Sequence, residues 1–274
     1  MKALAESLHQ YSYTYYTASY SGHGLAIDDF LNYTSTDWLQ DSHKTYQFLR
    51  QQGYEQIAVI GVSLGAILSL ELSKKFPVSA CISMSAPLEW KVNDLFKHLE
   101  QYNNYLNQFL NNKTTLNSLD WAKKSMNRLQ TLQQLIQTTI EDTASVIAPI
   151  FLLYGELDDE LYQSSAQTIY DHVNFTKKKI KNYSNTGHLM TLGGDQTQLF
   201  GDILEFLQQY HSISAKSPLF LLNLLTFKAT RMRKFLLLKN HNFASKYYKH
   251  VSIINLTICF ILVFLQPFIL CSYW

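Results

Sequence analysis

Cysteine is scarce in this sequence: Cys81, Cys259 and Cys271 are the three among 274 residues, and none forms a C-x-x-C pair. Cysteines so far apart suggest neither a disulfide framework nor a zinc site. Cys81, inside the apolar "SACISMSA", reads as a small packed hydrophobe. Acidic side chains are missing after Glu205, whereas eight of the 23 Lys plus Arg lie beyond it. Residues 1–205 therefore hold 15 basic against 21 acidic side chains, a net −6, and the remainder carries +8. The formal total of +2 conceals two differently composed pieces joined near Tyr210. The acidic piece has no basic stripe to neutralise phosphates, which argues against a nucleic-acid partner. The opening "MKALAESLHQYSY" lacks the apolar h-region of a signal peptide. A cytoplasmic location is the expectation for the body.

What is present is alternation. A chain of this length buries a full core, as one large domain or two small ones. Helical and strand signals alternate from Lys2 to Tyr210, which implies a mostly parallel sheet with helices on both faces. Lys2 to His9 reads as a short helix, "YSYTYYTA" as a strand, and Trp38, Leu39, Tyr46 and Leu49 as a helix ended at Gly53. Ile57 to Ile60, "VSACISMSA", "APIFLLYG" and "KKKIKNYSN" read as further strands, and Leu199 to Leu207 lie on a closing helix. The alternation stops across an insertion at about 88–146. Leu95, Leu99, Tyr102, Leu106, Phe109 and Leu110 fit one helical stripe there; Leu119, Met126, Leu129, Leu132, Ile136 and Ile140 fit a second. Among its aromatics, Trp90, Tyr102, Tyr105 and Trp121 are candidates for lining a pocket.

Gly61-Val62-Ser63-Leu64-Gly65 stands where the apolar run 57–60 gives way to a helix with a basic last turn at Lys74 and Lys75. A strand turning into a helix within about one residue strains the serine backbone, and the flanking glycines admit close neighbouring backbone. That pattern marks Ser63 as a candidate nucleophile on a nucleophile elbow. A serine hydroxyl needs a base within hydrogen-bond reach and an acid behind the base. Both belong just after strand ends, at the carboxyl edge of a parallel sheet. Of nine histidines, His188 in "NTGHLMTL" has that address; His43 and His172 fall in helices, His98 in the insertion, and His211, His241 and His250 outside the sheet. Asp158 in "YGELDDE" follows a strand and the Gly155 turn, with Asp159 as its nearest rival. The order Ser, Asp, His is that of α/β-hydrolases.

Several stretches in order, "YSGHG", "DWLQD", "GYEQIAVIGVSLGA", "SMSAP", "API" with "GELDDE", and "NTGHLMTL", make the chain from about Leu4 to Tyr210 resemble the small bacterial serine carboxylesterases of the monoacylglycerol-lipase type, within the α/β-hydrolase superfamily. The resemblance implies an α/β-hydrolase domain over 1–210 with the insertion as a helical cap. It carries nucleophile, acid and base onto Ser63, Asp158 and His188, with the Leu64 amide as an oxyanion donor. It also implies a small-molecule ester substrate, an acyl-enzyme, and no metal or organic cofactor. The His-Gly loop that supplies the family's second oxyanion donor is missing, together with the opening strands. A truncated, weakly active hydrolase-like protein is therefore the alternative. Where the family places a strand between "YSYTYYTA" and the elbow strand, this chain is expected to leave a vacant slot. Gly22-His23-Gly24 reads as a structural turn, with His23 at the pocket rim at best.

Residues 211–274 form a basic and then apolar tail expected to be helical. Positions 251–270, "VSIINLTICFILVFLQPFIL", hold twenty uncharged residues, a candidate transmembrane helix interrupted by Asn255, Gln266 and Pro267. On that reading 216–249 lie on the cytoplasmic side, and membrane contact runs through 251–270. The alternative is an unselected segment appended by a shifted reading frame or a lost stop codon. Oligomeric state is not readable from the sequence.

Overall fold

The computed structural model describes residues 1–89, 100, 103–104, 118–211 and 219–222. In chain order its elements are α1 (Lys2–Gln10), β1 (Tyr15–Thr17), α2 (Ile27–Phe30), α3 (Ser35–Gln51), β2 (Ala58–Val62), α4 (Leu64–Lys75) and β3 (Ala80–Met84). They continue with α5 (Ser118–Glu141), β4 (Ile150–Gly155), α6 (Glu160–His172), β5 (Lys178–Tyr183), α7 (Gln196–Tyr210) and β6 (Leu219–Leu222). The strands form one parallel six-stranded sheet in the order β1-β6-β2-β3-β4-β5.

The vacancy expected beside the elbow strand is filled. Leu219–Leu222, which sequence reading assigned to the tail beyond Tyr210, lies between β1 and β2 and pairs in parallel with both. Leu219 stands opposite Tyr15 on one side and Ala58 on the other, is fully buried, and its N–H donates to the Thr14 carbonyl at 2.7 Å. A short apolar run is what a strand flanked on both sides requires, and the pairing satisfies backbone groups that an open slot would strand. The strand expected over "YSYTYYTA" is only Tyr15–Thr17, because the chain still turns off α1 at Tyr11 and Ser12, where φ reaches +67°.

Alternate residues of the central strands face opposite layers, as period-two side chains must. Ile57, Val59, Cys81, Ile150 and Leu152 pack with α3, α4, α5 and α6. Ala58, Ile60, Ile82, Met84, Phe151 and Leu153 pack with Leu4 and Leu8 of α1 and with Leu199, Ile203, Phe206 and Leu207 of α7. Burial on both faces explains why β2 and β3 read as continuous apolar runs. At the outer edge, β5 places Lys178, Lys179 and Lys181 along its length, a charge pattern that discourages further strand pairing. Lys181 Nζ and the Tyr183 hydroxyl both reach Asp202 Oδ2, at 2.6 and 2.8 Å, which ties β5 to α7.

The second stripe of the insertion forms α5, packed on α3 and α4. Leu129, Leu132, Ile136 and Ile140 are buried, whereas Met126, counted in the same stripe, is exposed. Arg128 is buried on α5, and its guanidinium carbon sits 4.6 Å from the centre of the Phe30 ring and 5.7 Å from that of Trp38. Stacking on ring faces lets a cation lie in an apolar layer. The first stripe, Trp90, Tyr102, Tyr105 and the apolar run 251–270 lie outside the described residues, as do Cys259 and Cys271. So does the side chain of Trp121. Among the described residues, no helix is long and apolar enough to cross a membrane.

Candidate active site

The elbow is built from backbone constraints. Ser63 follows β2 directly with φ +57° and ψ −120°, a left-handed value for a non-glycine residue. Its N–H donates to the Met84 carbonyl of β3 at 2.9 Å, and its own carbonyl accepts from Ala66 and Ile67, so one residue both extends the ladder and opens α4. The crossing is tight: a Cβ on Gly61 would stand 1.9 Å from the Gly65 carbonyl oxygen. Leu64 is the first residue of α4, so its N–H is one of the four at a helix start without an intrahelical acceptor.

Two loops meet beyond β4 and β5. Glu156 N–H donates to the Tyr183 carbonyl at 2.9 Å and Leu157 N–H to the Thr186 carbonyl at 3.1 Å, lacing the turn after β4 to the loop after β5. Gly155 permits this approach, since a Cβ there would sit 2.0 Å from Thr186 O. The lacing sets His188 Nδ1 2.9 Å from Asp158 Oδ2. With Asp158 ionised, Nδ1–H donates to the carboxylate and Nε2 is left as the acceptor. The Asp158 side chain is 8% exposed and that of His188 25%, so the acid is shielded while the base reaches solvent. Asp158 Oδ1 also accepts from the N–H of Asp159 at 2.9 Å. Asp159 itself is the N-cap of α6, accepting from Leu161 N–H at 2.9 Å.

Sequence reasoning missed the residues that support this pair. Asp195 accepts from Asn185 N–H at 2.7 Å, from Asn185 Nδ2 at 3.1 Å and from Thr186 Oγ1 at 3.1 Å, closing the loop that carries His188. The Asn185 backbone N–H, and after it the Asn185 side chain, hold the Asp195 carboxyl below the usual carboxylate range. Tyr162 lies with its ring centre 4.6 Å from that of His188 at an interplanar angle of 47°. It is buried in the first turn of the helix that begins just after Asp158, which is the local signal available.

His23, His211 and His9 are engaged elsewhere. His23 is buried among Tyr20, Phe30 and Trp38, with ring centres 5.7, 5.3 and 5.2 Å away, a packed position within its turn. Burial, and next the Arg128 charge, pull its pKa down to about 4 against the opposing hydrogen bonds of Ser21 and Tyr20. The turn is pinned to α3 by Trp38 Nε1–H donating to Ser21 O at 2.9 Å and Ser21 N–H to Asp41 Oδ2 at 2.6 Å. His211 Nδ1 is 2.6 Å from Ser79 Oγ at the opposite edge of the sheet, and His9 Nδ1 is 3.2 Å from the Tyr13 carbonyl. His98, His241 and His250 lie outside the described residues. Among those described, no cluster of three or more His, Cys, Asp or Glu is arranged to hold a metal.

A parallel sheet covered on both faces, with a strained serine turn after one strand and an Asp-His pair after two later ones, defines an α/β-hydrolase fold. Within it, the chain belongs to the serine carboxypeptidase S28 family, whose model matches residues 9–218. It is similar to "Carboxylesterase" of Bacillus subtilis (strain 168), 27% identical over 213 residues that cover 76% of this chain and 87% of that one. It is also similar to "Thermostable monoacylglycerol lipase" of Bacillus sp. (strain H-257), 24% identical over 217 residues, 77% of this chain and 85% of that one. A solved structure among the metagenome-derived lipolytic enzymes LipS and LipT superposes with a TM-score of 0.60 at 18% identity, over 75% of this chain and 86% of that one. At that identity the likeness speaks to the fold.

Proposed function

We propose that this protein is a carboxylic ester hydrolase in which Ser63, Asp158 and His188 act as nucleophile, acid and base. The observation that carries the reading is the 2.9 Å contact between His188 Nδ1 and Asp158 Oδ2, at the same carboxyl edge of the sheet where the elbow presents Ser63. Ser63 Oγ attacks the ester carbonyl as His188 Nε2 takes its proton, and Asp158 fixes the tautomer and stabilises the imidazolium. The tetrahedral oxyanion takes a hydrogen bond from the Leu64 amide, at the positive end of α4. His188 returns the proton to the leaving alcohol, and water then cleaves the acyl-enzyme by the same route. The relatives named for carboxylesterase and monoacylglycerol lipase activity support short- to medium-chain acyl esters or monoacylglycerols as substrates.

A fluorophosphonate probe should label Ser63 in the wild type and leave Ser63→Ala unlabelled; equal labelling of the two would reject the assignment. The family's name favours a second reading, peptide hydrolysis by the same residues. A panel of p-nitrophenyl esters, thioesters and aminoacyl anilides separates the two, and faster turnover of anilides would favour the peptidase. If the Leu64 amide is the sole oxyanion donor, turnover falls roughly a hundred- to thousand-fold below that of a two-donor site. That is the weakly active alternative, and the same panel measures it. Residues 251–270, twenty without a charge, support membrane anchoring of the domain. Release of the protein by carbonate extraction would reject the anchor.

A further inference from the structure

His188 is held at its edge by one hydrogen bond. A single contact at Nδ1 fixes a point of the ring and leaves it free to tilt about the Nδ1 to Oδ2 line, which would swing Nε2 off the direction that the triad reading requires. A second contact is the ring of Tyr162, tilted 47° to the imidazole with 4.6 Å between centres, and itself buried. We infer that Tyr162 is a positioning residue for the base, blocking that tilt and presenting an electron-rich face to the imidazolium that forms when Ser63 gives up its proton. The inference rests on the triad reading above and deepens it. Such a ring face attracts a cation within about 6 Å of its centre, and the stabilisation acts only after proton transfer, which is when catalysis profits from it.

Both contacts come from one element. Asp158 immediately precedes the α6 N-cap Asp159, and Tyr162 lies in the first turn, its N–H donating to the Asp159 carbonyl at 3.0 Å. The helix start therefore sets edge and face together, so neither drifts without the other. An aliphatic side chain at 162 would fill the space and still lack the ring's negative face. Tyr162→Phe keeps that face and drops only the hydroxyl.

The test compares Tyr162→Phe, Tyr162→Leu and Tyr162→Met with the wild type. Three quantities are measured: the fluorophosphonate labelling rate of Ser63, kcat and KM on p-nitrophenyl butyrate, and the low-field NMR resonance of the His188 Nδ1 proton. Tyr162→Phe is expected within about twofold of the wild type, whereas Tyr162→Leu and Tyr162→Met lose about fivefold in labelling rate and in kcat. KM stays unchanged in all three, and the low-field resonance broadens only in the aliphatic variants. The methionine variant, unbranched and adaptable, covers the case in which leucine does not fold. Wild-type rates in both aliphatic variants overturn the inference alone. A fivefold loss in Tyr162→Phe as well also overturns it, because the hydroxyl and not the ring face would then matter. A wild type that fails to label overturns the triad reading, and the inference with it.

Discussion

Gly61 and Gly65 cross so closely that a β-carbon on Gly61 would lie 1.9 Å from the carbonyl oxygen of Gly65 and 2.6 Å from the Ala66 nitrogen. Both obstacles are backbone at the start of α4, which cannot swing aside as a side chain can. Gly61→Ala is therefore expected to cost about 3 kcal/mol or more, the upper range for forced overpacking. At this size that is roughly 6–12 °C in Tm, with Ser63 labelling lost in parallel. A thermal melt checks it, and an unchanged Tm would mean that the crossing is looser than its geometry.

Asp158 and Asp159 are adjacent carboxylates with different partners, and their substitutions should separate. Asp158→Asn keeps the shape but hands His188 the wrong hydrogen-bond pattern, so kcat is expected to fall by about four orders of magnitude with little change in Tm. Asp159→Ala removes an N-cap, about 1 kcal/mol of stability, and lowers kcat only modestly through α6. Paired kinetics and melts on the two variants decide this; equal losses of kcat would mean that the acid has been misassigned.

His23 makes stability depend on acid. Its folded pKa, about 4, lies below the unfolded value of 6.5, so between those pH values the unfolded chain binds a proton that the folded chain refuses. Stability therefore falls as the pH drops from about 6.5 to 4, by on the order of 3 kcal/mol at the low end. His23→Gln should lower stability at pH 7.5 through lost packing while flattening the decline. Urea midpoints at pH 7.5 and 4.5 for both proteins measure the difference. An equally steep decline in the variant would place the sensitivity elsewhere, with His43, also lowered first by burial, as the next group to test.

Phe220→Pro tests the inserted strand. Proline removes a ladder N–H from a strand paired on both sides and is confined to edges or bulges in sheets. A lost hydrogen bond with its acceptor left buried costs about 1–3 kcal/mol, read as a lower denaturation midpoint. Phe220→Val, which keeps the N–H and the strand propensity, should retain most of the stability. Equal midpoints for the proline variant and the wild type would mean that this segment does not hold the slot in solution.

Much of this architecture was legible because its physical causes are local. Ile57 to Ile60 and "IFLLYG" are apolar on both alternations, which only a strand covered on two faces requires, and the glycine spacing around Ser63 announces a tight crossing. Asp158 and His188 could be addressed because each follows a strand and a turn. What stayed hidden depended on distant partners. Leu219–Leu222 is a short apolar run whose strand character comes from β1 and β2, far away in the chain. Tyr162 and Asp195 acquire their roles only when the loops after β4 and β5 meet. The tyrosines of "YSYTYYTA" suggested a longer strand than forms, since Tyr13 packs beneath the sheet against His211 and does not extend β1.

The inserted strand also sets a timetable. Its neighbours β1 and β2 emerge from the ribosome early, while the piece that joins them is translated some 160 residues after Val62. At roughly 5–20 residues per second, the nascent chain spends on the order of ten seconds or more with two bare strand edges. Vectorial folding cannot finish this molecule from its beginning: the sheet between β1 and β2 closes only once Leu219–Leu222 has been made.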